Sequence, residues 1–120
     1  MLKIALHAYS SMDQLELQER LVRLVVDCHG WILEEQPPSL AAYHLRFEVG
    51  LTNISDLYGA FQQSGLQLTP VAHRALTEMC LCQKHLPVSN EAQIVSIDLH
   101  VGTLDEERLH FRRFVRQNSV

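Results

Sequence analysis

Three segments of this chain alternate apolar and polar residues, and their polar positions carry groups that can do chemistry. Residues 2–9 offer His7 and Tyr9, residues 42–49 offer His44, Arg46 and Glu48, and residues 93–101 offer Asp98 and His100. A strand points successive side chains to opposite faces, so within each segment these residues share a face. Three imidazoles with two carboxylates on one patch make a ligand set for a divalent transition metal. The same groups can exchange protons near neutral pH. A sheet face that is simply wet, or that packs on a twofold mate, is polar as well, so the pattern also fits a solvated or subunit-facing surface.

Other constellations are weaker. Cys80 and Cys82 stand two apart, with His85 nearby. On a helix such a pair points to nearly opposite sides and cannot share an ion, so these read as ordinary core and surface thiols. Arg108, Arg112 and Arg116 recur every four residues with Arg113 beside them, a basic stripe that suits phosphate, an acidic partner or a neighbouring subunit. A solvated face whose charge complements the helix C-terminus is the favoured reading of the stripe. Leu104, Phe111, Phe114 and Val115 give the same segment an apolar side. There is no Gly-x-Ser-x-Gly elbow and no glycine-rich phosphate loop, so no motif assigns a catalytic residue or a cofactor.

The elements that would position these groups follow from periodicity. Leu2, Ile4, Leu6 and Ala8 make the inward side of a first strand. Ser11 and Gln14 have capping-box spacing, with Asp13 adding charge to the first turn. Leu17, Leu21, Leu24, Val25 and Cys28 form the apolar stripe of a helix that Gly30 stops. A short strand covers residues 31–35, and Gln36-Pro37-Pro38-Ser39 is a turn. Tyr43, Leu45, Phe47 and Val49 are the core side of the clearest strand. Asn53 caps a second helix with Ile54, Leu57, Tyr58 and Phe61 inward, and Gly65 ends it. Residues 66–68 read as a short strand or a turn. Thr69-Pro70 starts a third helix to about Lys84, with Val71, Ala75, Leu76, Met79 and Cys80 on one face. Val95, Ile97, Leu99 and Val101 are the inward side of the last strand, and Gly102 turns the chain. Thr103 and Glu106 then form a capping box for a helix over residues 104–117.

This order predicts one α+β domain over residues 1–120, with a core over 1–102 and a C-terminal helix over 103–120. The expected fold is ferredoxin-like, βαββαβ, an antiparallel sheet with helices on one face. Residues 93–101 are favoured as its closing strand, which makes residues 66–84 an inserted helix. In length and element order the chain resembles the small-molecule-sensing ACT domains. Their usual glycine turn after the first strand is replaced by Tyr9-Ser10-Ser11-Met12-Asp13, so the likeness is one of topology. RNA-recognition motifs place stacking aromatics on the open face of the third strand, whereas Tyr43 and Phe47 lie on the apolar side here. Heavy-metal-associated domains need a Cys-x-x-Cys that the first loop lacks.

The bulk numbers set the remaining expectations. The chain has 120 residues, 47% of them hydrophobic and 20% charged, with a formal net charge of −4. An acidic balance argues against nucleic acid or an anionic membrane as partner. Three cysteines are too few for a secreted disulfide framework and read as reduced thiols of a cytoplasmic protein. The leading functional expectation is a non-catalytic binding or regulatory module that self-associates as a dimer and senses a small molecule. The alternative is an enzyme or metal-binding protein using the open sheet face, with His44 and His100 as bases or ligands and Asp98 or Glu48 orienting them. A third reading is an interaction subunit that docks through the arginine stripe of its C-terminal helix.

Overall fold

The computed structural model describes residues 2–36, 42–85 and 93–103. Strand β1 (Leu2–Ser10) leads into helix α1 (Gln14–Asp27), then β2 (Trp31–Glu35) and β3 (Ala42–Gly50). A single 3-10 turn, Leu51–Asn53, precedes α2 (Ile54–Gln63), the two-residue β4 (Gln67–Leu68), α3 (Pro70–His85) and β5 (Ile94–Thr103). The Pro37-Pro38-Ser39 turn, the predicted helix over 104–117 and its arginines lie outside the described residues.

The five strands form one mixed sheet in the order β2-β3-β5-β1-β4. β5 runs parallel to β1 and antiparallel to β3, and β4 closes the other side of β1 in antiparallel pairing. The expected ferredoxin-like order is therefore not matched exactly, and the sheet is mixed where a purely antiparallel one was expected. The short segment at 67–68 occupies the edge beside β1, where residues 93–101 were expected. Residues 66–84 are no insertion, because they supply that edge and the helix between it and β5. Strand length explains the exchange: ten residues paired on both sides satisfy far more backbone groups than two residues do. Gly102 does not turn the chain either. It continues the ladder, opposite Tyr9 on one side and Ala42 on the other.

One apolar core joins a single face of the sheet to the three helices. Leu6, Tyr43, Leu45, Phe47 and Leu99 are each at most 1% exposed, beneath Leu21 of α1, Phe61 of α2 and Leu76 of α3. Burying each such side chain is worth about 1.5–3 kcal/mol. On α3 the inward pair is Ala72 and Leu76, while Val71, expected inward, is 72% exposed. Position 72, one step on, is the one in line with Leu76 at helical spacing. Among the described residues no helix is long and apolar enough to cross a membrane.

The helix ends correct three further expectations. Asp13, not Ser11, is the N-cap of α1, its carboxylate accepting from the Glu16 amide at 3.4 Å. Gln14 Oε1 is buried without a partner, so the expected reach back to Ser11 is not made. At the other end His29 takes the left-handed conformation, with φ 62°. The His29 amide donates to the Val26 carbonyl at 3.0 Å and the Gly30 amide to Val25 at 2.9 Å, a Schellman motif. Gly30 is demanded by space instead: an added Cβ would stand 2.8 Å from the Glu48 carbonyl oxygen. Asn53 sits at the start of α2 but makes no side-chain cap.

Candidate metal site

The face of the sheet that no helix covers among the described residues is organised in cross-strand rows. Leu45, Phe47, Ile97 and Leu99 turn into the core, so pleating sends their neighbours outward. Register then sets the rows. His7 of β1 stands opposite His100 of β5, and His100 stands opposite His44 of β3. One row below, Asp98 lies between Ala5 and Arg46; one row above, Gly102 lies between Tyr9 and Ala42.

The three imidazoles stack. The rings of His44 and His100 are 4.1 Å apart and 11° from parallel, and those of His7 and His100 are 5.2 Å apart at 15°. Such contacts follow from β-spacing, since residues directly opposite on one face hold their Cβ atoms about 5 Å apart. Asp98 reaches diagonally to the row above. Its Oδ1 accepts a hydrogen bond from His44 Nε2 and lies 3.6 Å from His100 Nε2. The His44 side chain is 17% exposed, and Asp98 and His100 are 43% and 45% exposed. Burial pushes the His100 pKa down, and the neighbouring imidazoles of His44 and His7 push the same way, against the opposing pull of Asp98. A neutral imidazole is the form that binds a metal.

One donor atom from each of His44, Asp98 and His100 lies within 4.8 Å of the others, the one group of this kind among the described residues. Around a zinc-sized ion, donors sit about 3–3.5 Å apart. The stacked rings of His44 and His100 would tilt from their near-parallel arrangement, and the half-exposed Asp98 would rotate, to bring all three donors onto one ion. The proton between His44 and Asp98 is what an ion would displace.

The other predicted residues have other partners. The Arg46 guanidinium donates to Glu34 Oε2 of β2 at 3.0 Å. Glu48 Oε1 accepts from the Trp31 indole at 2.9 Å. Both therefore tie β3 to the edge strand and stand apart from the imidazole row. His7 and Tyr9 border a shallow cleft of about 310 Å³ together with His100, Ala42 and Gly102. Ala42 and Gly102 carry no chemistry and were not among the predicted site residues, Gly102 having been read only as a turn, though their outward parity was readable from the sequence. Cys80 is partly buried and Cys82 exposed, both free thiols. Cys28 is buried, and burial with the carboxylates of Asp56 and Asp27 pushes its thiol pKa up, away from a reactive thiolate.

No family model matches the chain, and neither the curated proteins nor the solved structures give a match.

Proposed function

We propose that this chain is a small binding module whose ligand is a divalent transition-metal ion, held on the open sheet face by His44, Asp98 and His100. The observation that carries the reading is the convergence of two imidazoles on one carboxylate oxygen across adjacent strands. Two imidazoles and one carboxylate suit zinc, iron, nickel or copper better than magnesium or calcium, which prefer all-oxygen sites. His44 is the best-sheltered ligand and its partner strands are the most fully paired, so the donors stand on rigid elements.

Equilibrium dialysis of the full chain against Zn²⁺ and Co²⁺ at pH 7.5 tests this. The expected result is one ion per chain, with uptake at least 10-fold weaker after Asp98→Asn and lost after combined His44→Ala and His100→Ala. Circular dichroism reports whether each variant still folds. Folded variants that take up the ion as the parent does would sink the proposal, and so would a parent that takes up none.

A further inference from the structure

Resting on that reading, we infer that the ion carries a small chelating carboxylate, which lies in the adjoining cleft and is held at its outer end by His7 and Tyr9. The first reason is geometric. All three protein donors rise from one surface of one sheet, so they occupy one side of the ion and leave the opposite side open. Three protein ligands with free positions is the arrangement that accepts an exogenous ligand.

The second reason is the shape of the neighbouring row. There the middle positions are Gly102 and Ala42, the smallest side chains available, flanked by Tyr9. They leave the depression of about 310 Å³ that begins at His100 and His7. That volume is at the small end of the range for ligand pockets, which selects a compact molecule. Charge is the third reason. A divalent ion beside one ligating carboxylate keeps a net positive charge, and a small anion with two oxygen donors neutralises it while filling two positions. His7 and Tyr9 border the same cleft, and an imidazole N–H and a phenol O–H are donors suited to oxygens pointing away from the ion.

The test uses the full chain loaded with Co²⁺, whose visible bands report its ligands, titrated with oxalate and, as a one-point donor, acetate. The inference expects a saturable change at one oxalate per cobalt, with acetate at least 10-fold weaker. His7→Ala and Tyr9→Phe should each weaken oxalate several-fold, with the affinity of each variant measured at full cobalt occupancy. Cobalt bands that ignore oxalate overturn the inference and leave the metal reading standing. Oxalate that strips the cobalt into solution overturns it too. A chain that never takes up cobalt overturns both readings. Oxalate affinity untouched by either variant removes the cleft from the account.

Discussion

Tyr43 shows how one side chain can serve the core and still touch the surface. Its ring is 1% exposed, yet its hydroxyl donates to Glu35 Oε1 at 2.7 Å. Burial first, and then the hydrogen bond and charge of Glu35, push the phenol pKa far above its usual value near 10. The sign follows from linkage: with a raised folded pKa, the stabilisation is full below the unfolded value and is lost as pH rises through and beyond about 10. Tyr43→Phe should therefore flatten the alkaline limb of a stability–pH curve measured by urea titration, and cost about 1 kcal/mol at pH 7. A curve as steep as the parent's above pH 10 contradicts the assignment. Gly30 makes the opposite kind of demand, for absence of atoms. Gly30→Ala places a methyl 2.8 Å from one backbone oxygen and 2.9 Å from Val25 Cγ1, and neither is a flexible chain end. A loss of about 2 kcal/mol is expected from the urea midpoint; an unchanged midpoint would show that β3 and α1 can part at no cost.

At the scale of the element, α1 separates two capping assignments that lie two residues apart in the sequence. Asp13 and Glu16 repeat the spacing of Ser11 and Gln14, and the helix begins after Asp13. Asp13→Ala should lower stability by about 0.5–1 kcal/mol in thermal unfolding, and Ser11→Ala should leave it within error. Equal losses would place the helix start where the sequence pattern put it. At the C-terminal end His29 holds a backbone conformation that costs a non-glycine residue roughly 1 kcal/mol. His29→Gly should recover part of that cost, set against the extra freedom glycine has when unfolded. A net gain of about 0.5 kcal/mol in the same thermal assay is expected, and a loss would mean that the His29 side chain contributes a contact of its own.

The whole molecule depends on its last described strand. β5 pairs with β1 from Leu2↔Val95 to Ser10↔Thr103 and with β3 from Ala42↔Gly102 to Gly50↔Ile94. Without it the two longest remaining strands have no common partner, and two of the three open-face donors, Asp98 and His100, are missing. A chain ending at residue 92 should therefore show no cooperative unfolding transition by circular dichroism. In the full chain the β5 amides should be the slowest to exchange with solvent. A sharp transition in the truncated chain would mean that β1 through α3 fold alone.

Much of this was legible beforehand, and the division has a physical cause. Local chain physics set the three alternating strands, the stripes of α1 and α2, the proline start of α3, and the outward parity of His7, His44, Asp98 and His100. Parity repeats every two residues, so it names a face but not a row. A register shift of two would keep every core residue inward and yet set His44 opposite Asp98 or Gly102 instead of His100. Strand order is likewise a long-range choice, made by which pairing satisfies the most backbone groups and buries the most apolar surface. The tertiary structure alone therefore decided that β5 lies between β3 and β1. It decided that three imidazoles meet in one row, that Asp98 reaches two of them, and that Arg46 and Glu48 are drawn aside by the edge strand.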